Sequence, residues 1–376
     1  MKKIDGNVEE KKPLGRRTFL AATVAAGVGA GVGASAFPSP AIASGKREWK
    51  MVMTWQKALP GLGTGAVRLA KRITSLSEGK LTVKPYGGGE LVPPMQVFDA
   101  VSRGTAQMGH SASYYWLNKT RASAFFTAVP GGMTAQEHKA WLYFGGGQKL
   151  WDELYKPFGI RAFPSGNTGA QMGGWFNREI HEAKDIKGLK MRMPGLAGEV
   201  LNQMGGSSQV IPPQELYTAM ESGRIDALEW VGAWNDMSLG FQNVSKYYYG
   251  PGFHEGGATL ELMVNIKAFD SLPSDLKRIV KVACATENEL MAAEYYANNV
   301  RSFAILRDKH QVDIRPYPEK VLKEFYSVAK DVVSSVGGDS DISKRIHSSY
   351  ESFRKKSMDM GYVAEQGYMN SRALVG

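Results

Sequence analysis

The feature that most limits the fold of this chain is the alternation of strand-like and helix-like segments in two separate stretches. The first stretch predicts strands and helices in turn at residues 48–55, 64–77, 80–85, 95–101 and 106–110. The second stretch predicts strands at residues 160–163, 172–176, 189–193, 209–211 and 225–229, with helices at 198–204 and 213–222. The order β-α-β-α-β is typical of a parallel sheet flanked by helices, so each stretch predicts one α/β lobe.

The rest of the chain completes a two-lobed fold with a helical tail. A strand near residues 258–265 could cross back to the first lobe, and from Pro273 onward the pattern is helical. The predicted helices cover residues 276–308, 318–335 and 342–368. The predicted boundaries are 44–157 for lobe 1, with the return strand, 158–257 for lobe 2, and 266–376 for a helical region that packs on both lobes. Since ligands bind at the carboxyl ends of strands in open α/β sheets, two such edges predict a hinged cleft.

The first 43 residues have the pattern of a cleaved export signal. Arg16 and Arg17 precede an uncharged run from Ala21 to Val32, and Ala41-Ile42-Ala43 follows as a small-x-small cleavage site. The paired arginines indicate the twin-arginine (Tat) route, and the run is too short to span a membrane. A disordered basic tail is the alternative. The signal predicts cleavage near Ala43 and a periplasmic protein, a location that disfavours ATP-driven and NAD-driven chemistry and favours binding or transport.

Charge and cysteine content narrow the function further. The formal net charge is +10, and the six basic and three acidic residues of the signal leave +7 on the remainder. No run of Lys or Arg resembles a nucleic-acid-binding arm, so no nucleic-acid partner is predicted. The single cysteine, Cys284, excludes a disulfide within the chain and a cysteine-based metal site, and we expect it to be buried. The phosphate-loop, metalloprotease and serine-hydrolase motifs are absent, which predicts that the protein is not an enzyme.

Two polar segments stand out as candidate binding residues. Residues 165–176 read SGNTGAQMGGWF, in which glycines allow a close approach of the backbone and Asn167 and Gln171 supply amide groups. An ordinary turn before a strand is the alternative. Arg192 lies near the carboxyl end of an apolar strand-like segment, where a guanidinium must be paired. Its planar fork fits a ligand carboxylate with two parallel hydrogen bonds, and an internal ion pair with a protein carboxylate is the alternative.

Two further segments combine aromatic side chains with carboxylates. Glu229 and Trp230 fall where the strand in IDALEWVG ends. Residues 247–257 read YYYGPGFHEGG, which is too rich in glycine and aromatic residues for a plain surface loop. We expect Tyr247 and Tyr249 to cover a core edge.

Four blocks, GNTGAQMGGWF, GLKMRMPG, IDALEWVG and GPGFHEGG, resemble the solute-binding proteins of tripartite ATP-independent periplasmic (TRAP) transporters. The resemblance runs from the export signal to the helical tail, and it is closest to the branch that binds 2-oxo acids such as pyruvate. It implies a periplasmic-binding-protein-like α/β fold that closes on its ligand and delivers it to a membrane permease. It also implies a tail that supports a homodimer by exchanging a long helix.

The same resemblance implies a set of site residues. Arg192 would clamp the carboxylate of the substrate, and the substrate contacts would also include Tyr115, Trp230, Asn167 and Gln171. A metal cation, sodium first and calcium as the alternative, would be bound by Glu229, the backbone carbonyl of Trp230, Gln171 and Glu255. Carboxylate, amide and carbonyl oxygens suit these hard ions, and neither sulfur nor imidazole belongs to the implied set.

Several alternatives stay open on the sequence. His254 stands where the resemblance leads us to expect an aromatic residue, so the size and polarity of the substrate are not fixed. Pyruvate and longer 2-oxo acids are favoured, with hydroxy acids and polyols as alternatives. A secreted isomerase or lyase that acts on a small acid, or a binding protein that reports to a receptor, would use similar residues.

Overall fold

The structure, a computed structural model, describes residues 45–375. The predicted twin-arginine signal and its cleavage site near Ala43 lie outside the described residues. Within residues 45–375, no helix combines the length and the apolar character needed to cross a bilayer.

The described part of the chain forms eleven strands and twelve α-helices. The strands are β1 (Arg47–Met53), β2 (Leu81–Tyr86), β3 (Met108–Ser111), β4 (Ile160–Asn167), β5 (Gly174–Phe176), β6 (Lys190–Arg192), β7 (Ser207–Gln209), β8 (Ala227–Leu228), β9 (Tyr247–Gly250), β10 (Thr259–Asn265) and β11 (Asp313–Pro316). The helices are α1 (Leu62–Leu76), α2 (Val97–Ser102), α3 (Ala135–Phe144), α4 (Gly147–Tyr155), α5 (Gly195–Gln203), α6 (Leu216–Glu221), α7 (Ala233–Ser238), α8 (Ile266–Asp270), α9 (Ser274–Asp308), α10 (Glu319–Val336), α11 (Asp341–Val363) and α12 (Glu365–Arg372).

The strands form two mixed sheets. The first has the order β2-β1-β3-β10-β4, in which β1 is parallel to β2 and β3, and β10 runs antiparallel to both of its neighbours. The second has the order β11-β9-β5-β8-β6-β7, with β6 parallel to β7 and β8, and β5 antiparallel to β8 and β9. Helices pack on both sheets, which confirms the predicted two-sheet α/β class with a helical C-terminal segment.

The sheets depart from the sequence prediction at three places. Residues 160–163 were expected to begin the second βαβαβ unit, but β4 pairs with β10 in the first sheet. Seven of the eight β4 residues are buried, so its side chains show no alternation that would reveal its sheet. The predicted parallel pairing is confirmed for β1, β2 and β3, but both sheets are mixed, because β10 and β5 run antiparallel to their neighbours. Strand β11, which pairs with β9, interrupts the region expected to be helical.

The helices follow simple local rules. Helix α1 buries Leu62, Ala66, Leu69 and Ile73, which recur at the spacing of one helical face. Helix α3 begins at a capping box, where the Thr134 side chain accepts from the backbone N–H three residues on. The glycines at 145–147 end α3 and start α4. The long segment predicted at 342–368 is divided at Ala364 into α11 and α12.

Helix α9 connects both halves of the molecule. It contacts β4 and α1 on the side of the first sheet and α7 on the side of the second. The Tyr295 hydroxyl donates to Asn235 Oδ1 of α7 at 2.7 Å, while the Asn235 amide donates to the Pro60 carbonyl at 2.8 Å. Cys284 of α9 is buried, and burial raises the pKa of its thiol far above the ordinary value. Helix α9 therefore fixes α7, which follows the last strand of the candidate site, against the start of α1.

Candidate functional site

Arg192 and Glu229 lie at the carboxyl ends of two neighbouring parallel strands of the second sheet. Strand β6 ends at Arg192, which is in register with Leu228 of β8, and the Glu229 backbone N–H donates to the Arg192 carbonyl at 3.1 Å. Arg192 Nη1 donates to Glu229 Oε2 at 2.8 Å and to the Glu229 carbonyl. The two side chains are 1% and 0% exposed. The internal ion pair that sequence reasoning left as the alternative is thus present.

The ion pair with Glu229 leaves other N–H groups of the Arg192 guanidinium available for a ligand. Its Nε is buried without a hydrogen-bond partner, and its Nη2 reaches only the Tyr115 hydroxyl, at 3.3 Å. The guanidinium carbon lies 4.8 Å from the centre of the Trp230 ring, in a cation–π contact. Burial lowers the pKa of Arg192, but Glu229, Tyr115, Tyr114 and Glu255 together outweigh this effect, so the pKa lies above its ordinary value. The site therefore holds a permanently charged guanidinium that still has hydrogen-bond donors available for a ligand.

Tyr115 brings the first sheet to this site. It lies in the short 3-10 turn Ser113–Trp116 that follows β3. Glu261 of β10 accepts from Ser113 Oγ at 2.9 Å and from Trp116 Nε1 at 2.6 Å, and thereby fixes the turn. The contact between Tyr115 and Arg192 consequently joins the two sheets across the site.

A loop next to Gln171 supplies further polar groups. Two backbone hydrogen bonds join the segment at Gln171 to the loop at residues 252–255. Gly252 N–H donates to the Gln171 carbonyl at 2.9 Å, and Gln171 N–H donates to the Glu255 carbonyl at 3.1 Å. The Gln171 amide nitrogen donates to Thr168 Oγ1 at 2.9 Å, while its Oε1 is buried without a partner. The backbone pairing fixes Gln171 and Glu255 at one place.

Three side chains converge with their donor atoms within 4.8 Å of one another: Glu229, His254 and Glu255. Glu229 Oε1 and Glu255 Oε2 are both buried without a hydrogen-bond partner. Burial and the negative charge of Glu229 raise the pKa of Glu255 well above its ordinary value. Buried acceptors of this kind require a positive partner, so the donor set fits a cation.

The His254 imidazole lies beside the two carboxylates, although the ligand set implied by the family resemblance contains no imidazole. Its side chain is 1% exposed, and its Nε2 lies 3.4 Å from Glu229 Oε1. Burial lowers the pKa of this imidazole, but the neighbouring carboxylates of Glu229 and Glu255 together raise the pKa above its ordinary value. The four residues after the cis Gly250–Pro251 bond gave no periodic pattern from which the direction of this side chain could be read.

Asn167 occupies a different position from the other expected substrate contacts. Its amide nitrogen donates to Thr259 Oγ1 at 3.1 Å, and its Oδ1 accepts from the Gly169 N–H at 2.8 Å. The side chain therefore closes the turn after β4 with both of its polar atoms. By contrast, the other residues expected at the site lie together: Arg192, Tyr115, Trp230, Gln171, Glu229 and Glu255.

Sequence reasoning missed Asp236, which fixes the backbone after Trp230. Its Oδ1 accepts from the Val231 and Gly232 N–H groups at 3.2 and 3.1 Å. Its Oδ2 accepts from Trp175 Nε1 and the Tyr248 hydroxyl at 3.0 and 2.8 Å. A carboxylate in the first turn of a helix that follows a glycine was the available signal, because such residues accept from free N–H groups at helix starts.

A small cavity of about 10 Å³ adjoins the site. It shares Tyr115, Gln171 and Trp230 with the groups above. The remaining wall includes Trp55, Leu62, Ala112, Val231 and Leu260. Within the described part of the chain, no charged side chain lines this cavity. One end of the site is therefore ionic and the other is uncharged.

Comparison with known proteins finds several related binding proteins. Residues 52–337 match the family described as bacterial extracellular solute-binding protein, family 7. A monocarboxylate 2-oxoacid-binding periplasmic protein of Nostoc is 39% identical over 322 residues, which cover 86% of this chain and 88% of that protein.

Two solved structures are similar over nearly their whole length. A TRAP periplasmic solute-binding protein from Pseudoalteromonas atlantica, with bound sodium and pyruvate, is 40% identical and has a TM-score of 0.84, covering 87% of this chain and 99% of that one. A TRAP transporter solute-binding protein from Bordetella bronchiseptica is 35% identical, with a TM-score of 0.86 and coverage of 88% and 98%. It is a dimer with copurified calcium and picolinate in the occupied active site.

Proposed function

The chain belongs to the bacterial extracellular solute-binding proteins of family 7, and we propose that it captures a 2-oxo acid such as pyruvate together with a metal cation for a TRAP membrane permease. The observation that carries this proposal is the pairing of a buried guanidinium that has free donors with buried carboxylate oxygens that have no partner. These groups lie side by side at the carboxyl ends of β6 and β8, where α/β sheets bind ligands.

Arg192 binds the carboxylate of the acid. Its unpartnered Nε and its weakly held Nη2 lie on one edge of the guanidinium, the geometry that forms two parallel hydrogen bonds with a carboxylate. The Tyr115 hydroxyl is within reach of the same edge. Trp230 covers the face of the guanidinium and excludes water from it. The Asn167 amide holds the turn after β4, which leads to Gln171 of the site.

The oxygen atoms of four residues hold the cation in this proposal. They are Glu229 Oε1, Glu255 Oε2, Gln171 Oε1 and the backbone carbonyl of Trp230. The first three are buried without partners, which is the observation that supports them as ligands. The two adjacent oxygens of a 2-oxo acid would chelate the bound cation. Arg192 and the two glutamates sum to −1, so sodium with a monoanion leaves −1 and calcium leaves zero. Hard oxygen donors suit both ions, and sodium is our first assignment.

The uncharged cavity limits the remote end of the substrate. A second carboxylate would be buried among Trp55, Leu62 and Leu260 without a charged partner, at a cost of several kcal/mol. A short aliphatic group meets no such penalty. The substrate class is accordingly the small monocarboxylic 2-oxo acids.

Ligand capture favours the closed arrangement of the two sheets. Tyr115 comes from the first sheet, whereas Arg192, Glu229 and Trp230 come from the second. A ligand that contacts both sides stabilises the form in which they are together, because its binding free energy differs between the open and closed forms. The protein performs no chemical conversion in this account.

The test is titration calorimetry with pyruvate on protein that has been dialysed against chelator in sodium-free buffer. We expect saturable binding when sodium or calcium is restored, and NMR spectra that show unaltered pyruvate after long incubation. Consumption of pyruvate would indicate an enzyme instead, and failure to bind any 2-oxo acid with either ion would reject the proposal.

The C-terminal helices provide a dimer contact in our proposal. After Phe353 the tail exposes a series of apolar side chains: Met358, Met360, Tyr362, Val363, Tyr368 and Met369. A groove of about 1430 Å³ lies between this tail, α3 and α10. A second copy that inserts its tail would cover both surfaces. Light scattering should give a dimer for the full mature chain and a monomer after deletion of residues 358–376, with pyruvate binding retained.

Export by the twin-arginine route, with cleavage near Ala43, completes the proposal. Replacement of Arg16 and Arg17 by lysine should keep the precursor in the cytoplasm. N-terminal sequencing of the periplasmic protein should begin near Ser44. A mature protein that still reaches the periplasm after the double replacement would rule out this route.

A further inference from the structure

Two tryptophans with unpartnered indole N–H groups line the small uncharged cavity. Trp55 follows β1 of the first sheet and Trp230 follows β8 of the second, and both side chains form part of the cavity wall. They are 1% and 3% exposed. Among the described residues, neither indole nitrogen has a hydrogen-bond partner. The protein therefore leaves two buried donors unpaired beside the space that receives the remote end of the ligand.

Most other polar groups of the wall already have partners. Thr168 Oγ1 donates to the Gly169 carbonyl at 3.1 Å and accepts from the Gln171 amide at 2.9 Å. Gln171 Oε1 is a cation ligand in the proposed function. The Tyr115 hydroxyl accepts from Arg192 Nη2 at 3.3 Å and keeps its own proton to donate. In the described part of the chain, this wall thus has more unpaired donors than acceptors.

The size of the cavity limits what can satisfy these donors. Its volume of about 10 Å³ is room for about one water-sized group. A hydroxyl oxygen has this size and accepts two hydrogen bonds, whereas a methyl group of similar size accepts none. A carboxylate would be buried there without a charged partner. An uncharged oxygen is consequently the group that fits both the space and the donors.

We infer that the cavity binds a hydroxyl oxygen at C3 of the ligand, and that the chain prefers 3-hydroxy-2-oxo acids to 2-oxo acids with an alkyl group of the same length. The inference rests on the proposed function, because it names the remote group of the acid bound there. The N–H groups of Trp55 and Trp230 donate to the hydroxyl oxygen. The hydroxyl proton has an acceptor in Thr168 Oγ1, which uses one of its two lone pairs for the Gln171 amide.

The preference follows from the cost of an unpaired buried donor. An alkyl group in the cavity leaves both indole N–H groups without water and without an acceptor, and this loss exceeds the gain from burying one methyl group. Sites built to hydrogen-bond a hydroxyl group discriminate strongly against the analogue that lacks it. Trp55 is therefore a specificity-determining residue that lies away from the ionic end of the site.

The first test compares two ligands of equal length. Hydroxypyruvate and 2-oxobutyrate differ only by a hydroxyl in place of a methyl group, and calorimetry at saturating calcium measures both affinities. We expect hydroxypyruvate to bind about tenfold or more tightly in the wild type. Trp55→Phe and Trp230→Phe should each lower this affinity ratio by about fivefold or more, because each removes one donor. Equal affinities in the wild type would overturn the inference.

Trp151→Phe is the matched control. Trp151 is also buried with an unpartnered indole nitrogen, but it stacks on Phe126 and does not line the cavity. Its replacement should leave the affinity ratio at the wild-type value, and an equal fall in this control would overturn the inference. A ratio that survives replacement of both Trp55 and Trp230 would assign the hydroxyl to another contact, such as the cation, and would overturn it as well.

The second test uses the wild type, so it does not depend on the folding of the variants. The chain has eight tryptophans, and ¹⁵N-indole labelling gives one N–H signal for each. Two of these signals should lie at lower field in the hydroxypyruvate complex than in the 2-oxobutyrate complex, since only the first ligand accepts from them. Identical indole signals in the two complexes would overturn the inference.

Pyruvate titration separates this inference from the proposed function. If pyruvate binds with calcium while hydroxypyruvate shows no advantage over 2-oxobutyrate, the inference fails and the proposed function stands. If no 2-oxo acid binds with sodium or calcium, the proposed function fails and the inference fails with it.

Discussion

Glu229 gives one carboxylate oxygen to Arg192, at 2.8 Å from Nη1, and leaves the other oxygen facing His254 and Glu255 without a hydrogen bond. A single carboxylate thus links the group that binds an organic anion to the groups that bind a cation. Affinity for the acid and affinity for the metal should depend on each other, and both should depend on Arg192.

Arg192→Ala should weaken pyruvate binding by about 2–5 kcal/mol, because it removes a buried charge partner and leaves Glu229 unpaired. Arg192→Lys should lose less, since it keeps the charge but not the planar fork. Calorimetry at a fixed cation concentration measures both. Arg224→Ala, an exposed arginine after α6, is the matched control and should bind like the wild type. Unchanged affinity in a folded Arg192→Ala protein would contradict the assignment.

Glu255→Gln should reduce pyruvate affinity in the presence of sodium or calcium by about 10–100-fold, because it removes a charged ligand of the cation. In chelated, sodium-free buffer the wild type and the variant should bind equally poorly. The measurement is a series of pyruvate titrations at increasing cation concentration, with Glu221→Gln of α6 as the control. A wild-type isotherm that does not respond to chelation would remove the cation from the account.

Leu260→Ala should shift preference from pyruvate towards 2-oxo acids with a longer chain, because Leu260 forms part of the cavity wall. Each further methylene that fits the enlarged cavity should add about 0.8 kcal/mol of binding free energy. Relative affinities for pyruvate, 2-oxobutyrate and 2-oxovalerate measure the shift. The control is Leu262→Ala, the same change in the same strand away from the cavity. Identical preferences in the two variants would show that the cavity does not receive the remote end of the ligand.

Glu261→Gln should alter how stability depends on pH. Burial raises the pKa of Glu261 to about 7 from an ordinary value of 4.5, while hydrogen bonds from Trp116 and Ser113 oppose the shift. The folded state therefore binds this proton more tightly than the unfolded chain does. Its contribution to stability is fully present below pH 4.5 and is lost as the pH rises through 7, by about 3 kcal/mol in total.

The variant lacks this titration, so the unfolding free energy of the wild type minus that of the variant should fall between pH 4.5 and 7.5. Denaturant unfolding at several pH values measures the difference. The buried histidines His110 and His138 are common to both proteins, so their contributions cancel. The exposed Glu324→Gln should run parallel to the wild type, and a Glu261→Gln curve parallel to the wild type would contradict the prediction.

The sequence predicted the fold class, and it predicted Arg192 and Glu229 as site residues on physical grounds. Both follow short apolar strands, and a charged residue at such a strand end must be paired. Gln171 was predicted as an amide group of a glycine-rich segment, whereas Glu255 and Tyr115 were assigned to the site only through resemblance to a family, because their loops have no periodicity. The structure brings these five side chains to one place.

Other features could not be predicted because local pattern does not encode them. Strand β4 is buried almost throughout, so nothing in its residues tells which sheet it joins. The direction of the His254 side chain depends on a loop fixed by the distant Gln171 backbone and by Phe325. Asp236 acts through donors from three separate segments, which only the tertiary structure brings together.

Cys284 is buried in α9, and its thiol resists ionisation. The native chain therefore has no reactive cysteine that would compete with an introduced labelling site. Thiol-directed dyes react with the thiolate and need access, so they should pass over this residue in the folded protein. A cysteine introduced on the surface near the cleft would then be the sole point of attachment. An optical reporter for small acids could be built on this chain without removing its own cysteine.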